Sequence, residues 1–435
     1  MGALSLVSRW FTTLRALVKR WGARSVMSVL DQGSFAGSNF LLTLFLARWL
    51  APGEYGVFAV TFSIFLFAAG FHNALILDPM NVLGPSRHDG KEGGYLGVLV
   101  WLHAGLTLVM TAALAAVALA LMAFHSSLAG PILAVAAASP FILLFWLFRS
   151  ACYLRTRPDL ALLGSLAYGI VLLGGALLAF KGRLGSPSAV FLCMAAASCG
   201  GSVLLFAALR MRRRDIAWSA AGPRMRETAE ENWRYGRWVT GSAVVYWLSG
   251  ALYAPLVGSF AGLEQAGAWQ ALQNLLRPMQ QGVTALSALF LPHVARQRVA
   301  QGERHLRRTI AGIIAVISVF SVAYLLLLLP AGGWIITFLY RRSYYREFLT
   351  LLPLLWLATF LGVVTQGLVI GLKSVQRSDL LFWAQVFGAI ATITVGLALV
   401  RAMKIEGAAI GGAVSGLILA AGHIIVLLPY LRGRK

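Results

Sequence analysis

Apolar residues in this chain come in long, nearly unbroken runs, not in the two-residue alternation of a half-buried strand or the one-sided stripe of a surface helix. The runs fall at 25–50, 55–77, 95–123, 129–151, 160–180, 187–209, 238–262, 268–291, 309–330, 349–371, 380–401 and 407–429. Each is close to the roughly 20 residues that a helix needs to cross a bilayer. In hydrocarbon a segment must satisfy its own backbone hydrogen bonds, so all twelve are expected to be helices. The pattern predicts an all-α polytopic membrane protein with twelve transmembrane helices.

Composition supports this and removes other classes. The chain of 435 residues is 59% hydrophobic and only 12% charged, against about 25% charged in an ordinary soluble protein. Mean hydropathy is +0.77. A net charge of +22 would suit a nucleic-acid binder, but the basic residues fall in short gaps between apolar runs instead of on a soluble face. No nucleic-acid partner is expected. The N-terminal tail, the even-numbered gaps and the C-terminal tail hold 28 of the 37 Lys and Arg residues; the odd-numbered gaps and their edges hold 8, and Arg277 lies inside a run. The positive-inside rule then puts both termini and the even gaps in the cytoplasm.

The first 24 residues do not read as a secretory signal, because Arg9, Arg15, Lys19 and Arg20 interrupt any apolar core. Val7, Trp10, Phe11, Leu14, Leu17, Val18 and Trp21 recur at steps of three and four, as in an amphipathic helix on the anionic lipid surface. Cys152, Cys193 and Cys199 have no metal-ligand spacing. Gly371-Leu372-Lys373-Ser374 lacks the glycine before lysine of a phosphate-binding loop, and HExxH and GxSxG are absent. No catalytic residue, metal or cofactor is expected, and a membrane-bound transferase would need a cluster of acids or histidines that the sequence does not supply.

The basic stretch 210–237 divides the runs six and six. The expected organisation is an interfacial helix (1–24), a six-helix lobe (25–209), a cytoplasmic linker (210–237), a second six-helix lobe (238–429) and a basic tail (430–435). Leu50-Ala51-Pro52-Gly53-Glu54-Tyr55-Gly56 after the first run has an echo in Phe260-Ala261-Gly262-Leu263-Glu264-Gln265-Ala266-Gly267 after the seventh. Six runs per half give both copies the same orientation, a parallel repeat of the kind that frames a central transport cavity.

Polar groups in hydrocarbon are costly and therefore informative. In the eighth run Gln270, Gln273, Asn274, Arg277, Gln281 and Thr284 share one helical face. Arg277 is ten residues into the run, ~15 Å deep at 1.5 Å per residue. Ser242, Tyr246, Ser249 and Tyr253 line one face of the seventh run, and Asp31, Ser34, Ser38 and Asn39 lie in the first. The candidate cavity residues are Arg277, Gln270, Gln273, Asn274, Gln281, Tyr246, Tyr253 and Asn39. Arg277 either meets an anionic cargo, since guanidinium matches phosphate oxygens bidentately, or pairs with Asp31, the natural buried acid. Asp31, Asp78 and His72 are the candidates for coupling or gating; His103 and His423 also lie within runs.

The run Leu30-Asp31-Gln32-Gly33 through Ser38-Asn39-Phe40, followed by Ala47-Arg48-Trp49-Leu50, Pro52, Glu54-Tyr55-Gly56, resembles the start of bacterial polysaccharide-biosynthesis membrane proteins. Gly70-Phe71-His72-Asn73, Asp78-Pro79-Met80, Leu339-Tyr340 with Tyr344, and Ile405-Glu406-Gly407-Ala408 add to the likeness. Arg341 departs from the glycine often found after the Leu-Tyr pair. These proteins are Wzx-type flippases of the multidrug/oligosaccharidyl-lipid/polysaccharide (MOP) exporter superfamily. The resemblance implies two six-helix lobes around a central cavity that opens to alternate faces of the bacterial inner membrane. It implies a polyprenyl-pyrophosphate-linked oligosaccharide as cargo, with membrane lipids and polysaccharide polymerase or other assembly proteins as partners. The rival expectation is a cation-coupled exporter of drugs or metabolites with the same fold; an arginine and amides, in place of carboxylates, favour the anionic sugar cargo.

Overall fold

The computed structural model describes residues 2–87, 92–210, 223–301, 303–341, 344–374 and 378–431, and the side chains chiefly of 26–85, 93–210, 225–282, 311–365 and 382–426. The expected amphipathic pattern of the first 24 residues, the middle of the basic linker, Thr284 and the basic tail lie outside those side chains. Among the described residues every regular element is helical. In chain order they are α1 (Gly2–Trp49), α2 (Pro52–His72), a π-helical segment (Asn73–Leu77), α3 (Asp78–Arg87), α4 (Glu92–Ala123), α5 (Ala129–Leu154), α6 (Pro158–Lys181) and α7 (Pro187–Ala208). After the linker come α8 (Pro223–Tyr246), a second π segment (Trp247–Ala251), α9 (Tyr253–Phe260), α10 (Leu263–Gln301), α11 (Glu303–Tyr340), a 3-10 segment (Tyr344–Leu351), α12 (Leu352–Ser374), α13 (Ser378–Ala391), a third π segment (Thr392–Gly396) and α14 (Leu397–Leu431).

Joined across their π and 3-10 segments, with α1 counted once and α14 divided where Lys404 leaves helical geometry (φ 53, ψ −126), the described elements make twelve helical rods. Gly22 breaks α1 in the same way, at φ 64 and ψ 171, a conformation that glycine adopts without a Cβ clash. Among the described residues eight stretches are long and apolar enough to cross a membrane, and the bent pair Met225–Ala251 with Tyr253–Phe260 (47°) makes a ninth. The protein is a multi-pass membrane protein. Neither α1 nor α10, whose side chains are described only in part, is among the nine.

Local sequence explains several ends. Ser186 accepts from the Ala189 amide at 3.2 Å, and Pro187 starts α7 where a missing N–H costs nothing. Glu54 accepts from the Ala51 amide at 3.1 Å, reaching back to cap the start of α2. Pro140 inside α5 has no N–H to give the Ala136 carbonyl, and the Thr111 hydroxyl of α4 donates to that oxygen at 3.0 Å.

The chain divides into two compact units: residues 1–42 with 71–239, and 43–70 with 240–435. Most of α2 therefore belongs with the C-terminal helices, whereas a six-and-six reading places it in the first half. In the first unit, α5 packs against α4 and α7, with Phe35, Phe145 and Tyr168 as an aromatic core.

The second unit brings the two copies of the repeated motif together. A Cβ on Gly56 would lie 1.6 Å from the Leu263 carbonyl oxygen and 3.0 Å from the Gly267 amide nitrogen. A Cβ on Gly267 would lie 2.4 Å from the Pro52 carbonyl oxygen and 3.1 Å from the Gly56 nitrogen. The opening turns of α2 and α10 thus meet backbone to backbone through equivalent glycines. A polar cluster sits deeper in the same unit: Tyr253 and Thr392 each reach the Ser415 hydroxyl at 3.0 Å, and Thr392 also donates to the Ser249 carbonyl at 3.2 Å.

The glycine contact yields a direct expectation. Gly56→Ala and Gly267→Ala should each destabilise the purified protein by about 1–3 kcal/mol, the usual cost of overpacking, read as a lowered unfolding midpoint in detergent. Gly174→Ala, where an added methyl meets nothing within 4 Å, should be neutral or slightly stabilising.

Candidate functional site

Asp31 of α1 is fully enclosed in the first unit. Arg149 of α5 holds it bidentately, Nε to Oδ1 at 2.9 Å and Nη2 to Oδ2 at 2.8 Å. Tyr153 and Ser165 donate to the same carboxylate. Phe35 lies under the Arg149 guanidinium, 4.6 Å from ring centroid to Cζ. The expected alternative of an Asp31–Arg277 pair is thereby corrected: every strong acceptor site on Asp31 is taken by residues of its own unit. Arg149 reads in the sequence as a basic residue at the cytoplasmic edge of the fourth run. Its spacing of four from Tyr153, one face of one helix, was the available signal for this cluster, and the sequence reading missed it.

Nearby, Asn39 donates to the Phe35 carbonyl at 2.9 Å and accepts from Tyr168 at 3.1 Å. Both of its ends are used inside the first unit. Asp78 opens α3 at the end of the π segment and bears electrostatically on Tyr235 of α8.

In the second unit the polar face of α10 is real but graded. Asn274 is fully buried and donates to the Tyr55 hydroxyl at 2.8 Å, while Gln270 donates to Asn274 at 3.2 Å. Gln273 and Arg277 are partly buried, and Gln281 is exposed. Around Arg277 stand tyrosines: Tyr55 and Tyr340 are its electrostatic neighbours. Tyr340 donates to the Ala271 carbonyl at 3.0 Å and lies edge-on to Tyr345, which also meets Tyr55. Among the described residues no carboxylate pairs with the Arg277 guanidinium. A cation in a shell of phenols and amides, with no counter-ion among the described residues, is chemically suited to meet an anion.

The seventh run departs from its expected face. Tyr246 is 63% exposed, whereas Tyr253 is buried and bonded to Ser415. The π segment Trp247–Ala251 adds residues to the turn between them and the helix bends after it, so a spacing of seven no longer returns to one face. Tyr253 is a packing residue of the second unit in this structure: its hydroxyl fills the space left by Gly396 and Gly411, where a Cβ would stand 2.5 Å and 3.0 Å away.

A family model described as "Polysaccharide biosynthesis protein" matches residues 45–348. The chain belongs to that family. No curated protein sequence matches it. Among solved structures, an inward-facing multidrug resistance MATE family transporter of the MOP superfamily superposes with a TM-score of 0.79 at 10% identity, over 94% of this chain and 99% of that one. The lipid II flippase MurJ in an inward closed conformation gives 0.72 at 13% identity, over 94% and 91%. A point mutant of the MATE transporter VcmN of Vibrio cholerae gives 0.65 at 14% identity, over 94% and 98%. The family member therefore has the fold of these MOP-superfamily transporters.

The Asp31 cluster makes a stability prediction. Asp31→Ala leaves the Arg149 charge enclosed with only 12% of its side chain exposed, and loss of one partner from a buried pair costs about 3–5 kcal/mol. The unfolding midpoint should fall steeply. The double replacement Asp31→Leu with Arg149→Met should recover most of the loss, because it removes both charges together.

Proposed function

We propose that this protein flips a polyprenyl-pyrophosphate-linked oligosaccharide from the cytoplasmic to the periplasmic leaflet of the bacterial inner membrane, for surface polysaccharide assembly. It does so by alternating access of a central polar cavity, with both termini in the cytoplasm. Membership of the polysaccharide-biosynthesis family makes a lipid-linked glycan the fitting cargo, and a fold shared with a lipid II flippase is compatible with moving one. The observation that carries the reading is Arg277, a partly buried guanidinium on α10 without a carboxylate partner among the described residues.

Arg277 meets the pyrophosphate or an acidic sugar, and the charge-assisted contact is strong because the guanidinium is little solvated. Gln273 and Gln281, on the same helical face, and the exposed Tyr246 hydrogen-bond sugar hydroxyls. Gln270 and Asn274 act one step back, holding each other and Tyr55. The polyprenyl tail stays in the bilayer. The polymerase and other assembly proteins take the cargo on the far side.

In a strain whose surface polysaccharide depends on this protein, Arg277→Ala should cut polymer export at least tenfold at unchanged protein level, and Arg277→Lys should restore part of it. Normal export by Arg277→Ala would sink the role of Arg277. Deleting the protein should trap lipid-linked repeat units on the cytoplasmic side; altered drug sensitivity with intact polymer would instead favour the exporter of drugs or metabolites.

A further inference from the structure

The first unit has an open groove that no step above uses. Leu75 and Ile76 of the first π segment, Leu102 and Leu106 of α4, and Ala229 and Trp233 of α8 line it. All of them belong to this one unit. The groove holds about 150 Å³, less than the roughly 300 Å³ at which pockets for compact small molecules begin. Its walls are almost wholly apolar, and among the described spans of this unit α4 is the least buried. A narrow, greasy recess on the flank of a membrane helix suits a hydrocarbon chain.

The recess follows from the way the two helices meet the π segment. A π turn bulges from the α-helical path because its hydrogen bonds run to the fifth residue. On one side α8 is seated on that bulge: a Cβ on Gly236 would lie 2.6 Å from the Ala74 carbonyl oxygen, and Asn232 donates to the Leu75 carbonyl at 3.2 Å. On the other side α4 is tied to the head of the bulge by a buried contact, His72 Nε2 to His103 Nδ1 at 3.0 Å. The groove is the space left between these two attachments. Asn232, its one polar wall besides the Trp233 indole, is occupied by the protein itself, with its Oδ1 also 3.5 Å from the Tyr95 hydroxyl.

The two ends of the recess differ. Along α4 it continues as a track: Leu102, Leu106 and Val109 fall at steps of four and three on one face, and Val109 is 67% exposed. These seven steps cover ~10 Å of helix. Along α8 the surface turns polar. Arg226, Glu230, Trp233 and Arg237 share one face at steps of four, three and four. Arg226 and Glu230 neutralise each other at 2.9 Å. Arg237 is exposed, 5.7 Å from the ring of the exposed Trp238, and has no carboxylate partner among the described residues. Tyr95 stands near the start of the Gly93–Ala123 span and approaches Asn232, which sets Trp233 close to the edge of the bilayer. Tryptophan favours that level, with its ring in hydrocarbon and its N–H among headgroups.

We propose that this groove is a binding site for one anionic phospholipid. An acyl chain lies in the recess and runs on over Val109, and the headgroup phosphate meets the Arg237 guanidinium and the Trp233 indole N–H. Guanidinium donors match phosphate oxygens in pairs. One unpaired cation at the mouth answers the single net negative charge of a phosphatidylglycerol headgroup, and Arg234, also exposed, adds to the attraction. Ordinary lipid contact needs only an apolar surface; here a recess and a fixed cation stand one helical turn apart. A lipid seated in this way joins α4 to α8 beside the π segment and steadies the first unit, whatever cargo the transporter moves.

The test uses the purified full-length protein in detergent, supplied with equal amounts of phosphatidylglycerol and phosphatidylethanolamine and read by native mass spectrometry. The unaltered protein should retain one phosphatidylglycerol in preference to phosphatidylethanolamine. Arg237→Gln should weaken that retention about fivefold, the equivalent of the ~1 kcal/mol that one basic side chain gains at an anionic surface. Ala229→Trp, which fills the recess without changing charge, should displace the lipid. Arg212→Gln, which takes one charge from the basic linker instead, should leave retention unchanged. Equal retention of the two lipids by the unaltered protein, equal losses from Arg237→Gln and Arg212→Gln, or a polyprenyl phosphate bound in place of the phospholipid would each overturn the proposal. The lipid preference is read without any substitution, so a variant that fails to fold does not spare the idea. Failure of the flipping reading shows separately, as intact surface polymer in the deletion strain.

Discussion

Every backbone carbonyl in a bilayer needs a donor from the protein, because the lipid offers none. That constraint explains both the helices and the way their interruptions are filled. Where Pro140 withholds an N–H, Thr111 supplies a hydroxyl to Ala136. At the first π segment Asn232 donates to Leu75. At the second, Ser63 donates to Ala251 at 2.8 Å and Thr392 to Ser249. Thr392 itself opens the third π segment, so that one contact joins the second and third. The irregular turns of this molecule are stitched to neighbouring helices by side chains, so each irregularity also fixes a helix pair.

The same economy separates two kinds of charge. Asp31 is matched by four donors from three neighbours and stacked through its partner on Phe35; it is built into the first unit. Arg277 has tyrosines and amides around it, without an acid among the described residues. Asp31 has its needs met by named donors, whereas the described residues give Arg277 no carboxylate. Burial alone would not have told them apart.

Much of this was readable from the chain. The apolar runs fixed helix number because a bilayer sets a minimum length, and the polar face of the eighth run survived as the face of α10. Motifs such as Glu54-Tyr55-Gly56 were enough to suggest the family. What could not be read was anything depending on a partner distant in sequence. Arg149 looked like a loop cation until α5 carried it 118 residues away to Asp31. Tyr246 and Tyr253 seemed to share a face because the sequence spacing assumes a uniform turn, and a π segment has no signature in single-residue hydropathy. His72 and His103 were each visible, but their 3.0 Å contact was not.

The meeting of Gly56 and Gly267 has one more consequence. Between two identical subunits, an isologous contact is altered on both sides by any single mutation. Here the two sides are encoded separately, and they have diverged: Gly267 meets the carbonyl of a proline, Pro52, whereas Gly56 meets that of a leucine, Leu263. A bulky change on one side can accordingly be answered by trimming the other. A screen for second-site suppressors of Gly56 variants would draw its hits from residues 263 to 267, far along the chain from the original lesion.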